Sequence, residues 1–282
     1  MEIALNDYSA HYIIDNTVIS KSGKSYEILE KIGGGGNGVV YECIDTRGDE
    51  FAIKFLLKTN EKMKKRFFQE IALLKRVNNE YIIQYFDEGE VEGFGKKTNE
   101  IIPFVVMEKA DCNLREYICR GNPQVYEIVA GQFRGLCSAL AELHRYAIHR
   151  DIKPENILVK GERLILSDFG LCKLLDAEEG LSITRDNEKV GPMFWISPEA
   201  VTKYYFNEGD INESSDVYQL CMVFLFVVTK TFPGGQMQVN DITGFPQELI
   251  RLFLDAIAYN ANKRPTNGQH LLDKFNHITY GG

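Results

Sequence analysis

Up to Met107 the apolar residues come mostly in short runs, as strands require; beyond it they recur chiefly every three or four positions, as helices require. Thr17-Val18-Ile19 and Ser25-Tyr26-Glu27-Ile28-Leu29, on either side of Ser22-Gly23-Lys24, predict a hairpin. Ile32 and the stretch Val39 to Ile44 predict strands flanking a run of glycines. Phe51 to Leu56 is the next strand, interrupted by Lys54. Tyr81 to Phe86 and Ile101 to Met107 predict two more, with the polar segment Glu92 to Glu100 as an exposed loop between them. One helix breaks the series. Phe67, Ile71 and Leu74 share one face, Phe68 and Leu73 widen the stripe, and Glu70 borders it.

In the second part, Asn122-Pro123 reads as a helix start, with proline in the first turn. Val125, Val129, Phe133, Leu136, Leu140 and Leu143 then recur at helical spacing. Ile157 to Leu166 reads as two short strands joined by a turn at Gly161. The run Leu220 to Val228 predicts a buried helix. Pro246 to Tyr259 and Asn267 to Ile278 supply the last helices.

The chain has 282 residues, of which 44% are apolar and 26% charged. That is enough apolar material for a sizeable core and suits two lobes better than one simple domain. The formal net charge is −8, which argues against a nucleic-acid partner. The densest basic run, Lys62-Met63-Lys64-Lys65-Arg66, reads as a solvated helix face. Six scattered cysteines form no C-x-x-C pair, so structural zinc is not expected and a reducing, cytoplasmic setting is. The N-terminal residues carry no secretion signal, and no apolar run reaches the ~20 residues of a membrane span. No membrane partner is expected, and nothing in the pattern fixes an oligomeric state.

Chemistry concentrates on either side of the short hairpin. Before it lies Ile148-His149-Arg150-Asp151-Ile152-Lys153-Pro154-Glu155-Asn156; after it lies Asp168-Phe169-Gly170. Asp151 can accept a proton. Asn156 and Asp168 offer oxygen to a hard cation such as magnesium. Lys153 offers positive charge where a transferred group would be negative. A hairpin between them would hold Asn156 and Asp168 side by side. Upstream, the glycines of Ile32-Gly33-Gly34-Gly35-Gly36-Asn37-Gly38-Val39-Val40 are followed by a strand rather than a helix. That order disfavours a dinucleotide-binding turn; a plain glycine hairpin is the simpler alternative.

These motifs, in this order, resemble those of eukaryotic-type protein kinases, H-R-D-x-x-x-x-N and D-F-G among them. The resemblance runs from about Lys24 to the C-terminus. It implies an α+β, bilobal protein kinase fold, with a small, mainly β N-lobe carrying one regulatory helix and a larger, mainly α C-lobe. Residues 1–24 would be an N-terminal extension packing on the N-lobe, 25–107 the N-lobe and 108–282 the C-lobe. It also implies ATP and Mg2+ as cofactors and a protein substrate. Asp151, Lys153, Lys54 and Glu70 would be catalytic, with Lys54 and Glu70 paired. Asn156 and Asp168 would hold the metal. Nucleotide contacts would come from Ile32, Gly33, Gly34, Gly35, Gly36, Asn37, Gly38, Val40, Ala52, Lys54, Met107, Glu108, Ala110 and Leu158, with Glu108-Lys109-Ala110 as the hinge beside adenine. His149 would pack on Phe169, Asp216 would bond the catalytic-loop backbone, and Glu199 would pair with Arg264.

The acceptor class stays open between two readings. Lys153-Pro154-Glu155 resembles the serine/threonine pattern, the preferred one. Pro192-Met193-Phe194-Trp195 resembles the proline-x-x-tryptophan surface of tyrosine kinases, which leaves a tyrosine or dual-specificity kinase as the alternative. A small-molecule phosphotransferase and a pseudokinase are further alternatives. Arg150 before Asp151 implies control by an activation-segment phosphate. Ser182 and Thr184 are candidate acceptors for it, and Glu188 is a candidate built-in negative charge.

Overall fold

The computed structural model describes residues 1–95, 99–121, 125–175, 194–233 and 237–280, with backbone alone for 125–129. The chain divides into two compact units: Met1–Arg76 with Ile83–Ala110, and Val77–Ile82 with Asp111–Gly282.

The first unit is a sheet with one helix on it. Its strands are β1 (Glu2–Ala4), β2 (His11–Ile13), β3 (Thr17–Ile19), β4 (Ser25–Gly34), β5 (Gly38–Asp45), β6 (Glu50–Leu56), β7 (Tyr85–Phe94) and β8 (Asn99–Met107), with α1 (Glu61–Arg76) between β6 and β7. They lie in the order β1-β2-β7-β8-β6-β5-β4-β3, each antiparallel to its neighbours. Strand side chains alternate between faces. Val39, Tyr41, Cys43, Ile53, Phe55, Ile102, Phe104 and Val106 therefore share one face, and all are buried in the core. On α1, Phe67, Ile71, Leu73 and Leu74 of the expected stripe are buried and Glu70 with them, but Phe68, expected to widen it, is exposed.

Two features of this unit depart from the sequence pattern. The first is β1 and β2. Each is three residues long, too short to show a period, yet Ile3, Leu5 and Ile14 from this segment complete the core. Lys31 on β4 donates from Nζ to Ala4 O (3.1 Å) and Asn6 Oδ1 (2.8 Å), which ties the segment down. The second is the Tyr81–Phe86 strand with its following loop. Ile82 instead makes a single parallel bridge to Leu166 within the second unit. The strand proper, β7, begins at Tyr85 and runs through the acidic stretch to Phe94, paired along its length with β8. Glu90 and Glu92 point to solvent, while Gly89 and Gly93 face the core. A Cβ at Gly89 would lie 2.4 Å from the Phe104 ring, and one at Gly93 would lie 2.3 Å from Ile102 Cδ1. Glycine stands there because a neighbouring side chain fills the space, not because the chain turns.

The second unit is mainly helical. It holds β9 (Cys112–Asn113), α2 (Leu114–Cys119), α3 (Val125–Leu143), β10 (Ala147–Ile148), β11 (Ile157–Lys160), β12 (Arg163–Leu166), β13 (Lys173–Leu174), α4 (Pro198–Phe206), α5 (Glu213–Thr229), α6 (Gln247–Ala256) and α7 (Gly268–Tyr280). Phe133 on α3 is the hub of its core. Its ring meets Phe224 of α5 at 4.4 Å, Phe253 of α6 at 5.3 Å and Phe275 of α7 at 5.6 Å between centroids. The expected buried run lies inside α5, which starts with a capping box formed by Asn212 and Ser215. α7 begins hard against α3: a Cβ on Gly268 would lie 2.4 Å from the Ala141 nitrogen. The Asn122-Pro123 helix start lies outside the described residues. Among the described residues, no helix is long and apolar enough to cross a membrane.

Candidate active site

In the first unit the sheet register gathers the expected nucleotide-binding residues. Gly33 pairs with Val40, Val40 with Lys54, and Lys54 with Val105; two residues along, Ala52 pairs with Met107. Directly paired residues share a face. Val40, Lys54, Ala52 and Met107 therefore stand together on the face opposite the core. Ile32 is half exposed on β4. Gly35, Gly36 and Asn37 form the turn between β4 and β5, closed by Gly35 N donating to Gly38 O at 2.9 Å. A Cβ on Gly38 would come within 2.3 Å of Phe55 O, so that position admits glycine alone. Lys54 Nζ donates to both carboxylate oxygens of Glu70, at 2.8 and 3.0 Å. Glu108 and Ala110 follow β8, and the Glu108 N–H is taken by Gln84 O at 2.9 Å.

In the second unit the expected catalytic-loop residues are held by a buried carboxylate from α5. Asp216, wholly buried, accepts from His149 N (2.6 Å), Arg150 N (2.8 Å) and His144 Nε2 (3.0 Å). Gly268 N donates to the other nitrogen of His144, so Nε2 carries the proton that Asp216 receives. Gln219, one turn along the same helix, accepts from Ile152 N at 3.2 Å. Arg150 and Asp168 both take positive φ, 72° and 60°. Such conformations cost about 1–3 kcal/mol each and persist only where surrounding bonds fix them. The β11–β12 hairpin starts just after Asn156 and ends just before Ser167, whose N–H donates to Asn156 O at 2.9 Å. This brings Asn156 and the Asp168 loop to one end of the hairpin. His149 packs on Phe169 with centroids 5.2 Å apart.

The decisive detail is at Asp151. Its Oδ2 accepts from Lys153 Nζ at 2.7 Å and from Asn156 Nδ2 at 2.8 Å. Its Oδ1 is buried and has no hydrogen-bond partner among the described residues. Burial pushes the Asp151 carboxyl above the usual aspartate range, and the nearby Asp168 adds to this; Lys153 and His149 pull the other way without cancelling it. One oxygen is thus fixed, and the other is a bare acceptor of raised basicity. Asn156 donates its amide nitrogen to Asp151 O as well as to Oδ2, so its side-chain oxygen is what it offers a cation. Together with the Asp168 carboxylate this is a hard, oxygen-only donor pair. Among the described residues no group of three His, Cys, Asp or Glu forms a closed metal cage. An oxygen-only pair of this kind fits the hard-cation chemistry of magnesium, which keeps waters and phosphate oxygens as its other ligands.

A family model described as the protein kinase domain matches residues 26–276. The chain belongs to the protein kinase domain family. A protein named as a probable serine/threonine-protein kinase of Clostridium perfringens is 29% identical over 75% of this chain and 30% of its own length. The serine/threonine-protein kinase PknL of Mycobacterium tuberculosis is 31% identical over 74% of this chain and 50% of its own. A probable receptor-like protein kinase of Arabidopsis thaliana is 32% identical over 72% of this chain and 40% of its own. The chain thus spans between about a third and a half of the length of these relatives.

Elsewhere in the kinase domain, Arg264 donates to Glu199 through both guanidinium nitrogens, at 2.8 and 2.9 Å. The Arg264 side chain is fully buried, bonds Ala258 O at 2.7 Å and lies over the Tyr218 ring at 4.8 Å. Leu158 sits half-buried on β11. Ser182, Thr184, Glu188 and Pro192 lie outside the described residues. Two contributors escaped the sequence reading, Gln219 and Ser167. Each was findable by position: Gln219 is three residues past Asp216 on one helix face, and Ser167 directly precedes Asp168.

Proposed function

We propose that this kinase domain transfers the γ-phosphoryl group of ATP to serine or threonine hydroxyls of proteins, itself included. The observation that carries this is the asymmetric Asp151 carboxylate, one oxygen clasped by Lys153 and Asn156 and the other bare. In this reading Oδ1 accepts the hydroxyl proton of the acceptor and aims its oxygen at phosphorus. A new P–O bond forms as the bond to the β-phosphate oxygen breaks, ADP leaves, and the proton stays on Asp151. Lys153, already at the carboxylate, balances negative charge on the phosphoryl oxygens. Lys54, oriented by Glu70, binds the α- and β-phosphates. The glycine turn after β4 lies over the phosphates, where side chains would be in the way. Asn156 and Asp168 would hold magnesium, whose charge would offset that of the phosphates.

The lysine two residues after Asp151 favours serine or threonine over tyrosine, and the names of the bacterial relatives agree. Radiolabelled ATP with a generic protein acceptor, followed by phosphoamino-acid analysis, tests this. Phosphoserine and phosphothreonine are expected; phosphotyrosine as the main product would overturn the acceptor class. Asp151→Asn is expected to keep nucleotide binding and lose transfer by about 10²–10⁴. Normal turnover in that variant would remove Asp151 from its role.

A further inference from the structure

Lys109 stands between Glu108 and Ala110, the two hinge positions beside adenine. These residues follow β8; Gln84 O takes the Glu108 N–H at 2.9 Å, but the ladder does not fix Lys109 and Ala110. The Lys109 side chain does. Its Nζ donates to Glu42 Oε1 on β5 at 2.6 Å and to Glu50 Oε2 at the start of β6 at 2.9 Å. Glu42 pairs across the ladder with Ala52, and Ala52 with Met107. One ammonium thus ties the chain after β8 back across β6 to β5, along the row that carries Ala52 and Met107. Val40 and Lys54 lie one step farther along the same face.

Hydrogen bonds to a heterocycle edge demand backbone groups fixed to within a fraction of an ångström. A lysine bridging two carboxylates provides that restraint, because removing it also leaves Glu42 and Glu50 as uncompensated like charges. The two carboxylates hold the ammonium above the usual lysine range, so the clamp is charged at any working pH. Glu50 is well exposed and Lys109 partly so. An ion pair of that kind adds little to stability, which leaves positioning as its effect.

We propose that Lys109 is a positioning residue that sets nucleotide affinity by clamping the hinge to β5 and β6. This rests on the reading of the chain as an ATP-dependent kinase. The test measures equilibrium binding of a fluorescent ATP analogue and steady-state transfer to a generic acceptor, on the full chain. In Lys109→Met the KM for ATP and the analogue Kd are expected to rise on the order of ten-fold. The kcat and the melting midpoint should stay near wild type. Lys109→Arg should restore affinity, and the pair Glu42→Gln with Glu50→Gln should reproduce the loss. Unchanged KM and Kd in both the lysine and the double-glutamate variants would overturn the proposal, as would a fall in kcat at constant KM. If the wild-type chain itself binds no adenine nucleotide, the kinase reading falls and takes this inference with it. Wild-type binding matched by Lys109→Met sinks the clamp alone.

Discussion

At the scale of single residues, the chemistry proposed for this site depends on how Asp151 is surrounded. Burial raises its carboxyl, and the Lys153 ammonium at 2.7 Å restrains the rise. A general base works only when deprotonated, so activity should fall with acid at a pH above that of an ordinary aspartate. Taking away Lys153 removes the restraint. In Lys153→Met the acid limb of the kcat/KM profile is therefore expected at still higher pH, beyond any loss of rate. A limb that stays put, or moves down, would mean that another group titrates. The residues of this candidate site could be picked out in the sequence, because Asp151, Lys153, Asn156 and Asp168 lie within one short stretch. The unequal treatment of the two Asp151 oxygens was not. It depends on the rotamers of Lys153 and Asn156, which residue spacing does not encode.

Elements were legible where burial imposed a period. α1 and α3 announced themselves through spaced apolar positions, α5 through the unbroken run Leu220 to Val228, and β5, β6 and β8 through short apolar runs. β7 did not, because two of its core-facing positions are glycines filled by Phe104 and Ile102 from the next strand. A glutamate- and glycine-rich strand reads as a loop until its partner is known. Between elements, Glu199 near the start of α4 meets Arg264 ahead of α7. Burial pushes the Glu199 carboxyl up, but Arg264 and Ser215 together hold it below the usual glutamate range. A carboxyl depressed in the folded state adds stability that is present above its unfolded value and lost as pH falls through its folded value. Arg264→Met leaves a buried carboxylate without its cation and should cost about 3–5 kcal/mol at neutral pH. Denaturant titrations should show that gap shrinking as the pH drops below the ordinary carboxylate range. A pH-independent gap would assign the loss to packing over Tyr218 instead.

For the molecule as a whole, the two units follow different logics. The sheet unit has its core on one face and the residues proposed to bind nucleotide on the other; the helical unit gathers four helices around Phe133. The matched family region begins at residue 26, yet the sheet core draws on Ile3, Leu5 and Ile14. Burying each such side chain is worth about 1.5–3 kcal/mol, an upper bound because unfolded chains already hide some surface. Removing residues 1–15 is therefore expected to lower the melting midpoint and increase binding of an apolar dye. An unaltered midpoint would make this segment dispensable. Segments of three residues carry no period, so only the assembled sheet reveals what they cover.

A carboxylate in water has two interchangeable oxygens; Asp151 has lost that symmetry. In the proposed reaction, whatever hydrogen it captures must depart from the same atom that received it, since the twin is engaged by two donors. Resetting the site between cycles then depends on solvent reaching one atom of one side chain after the product has gone.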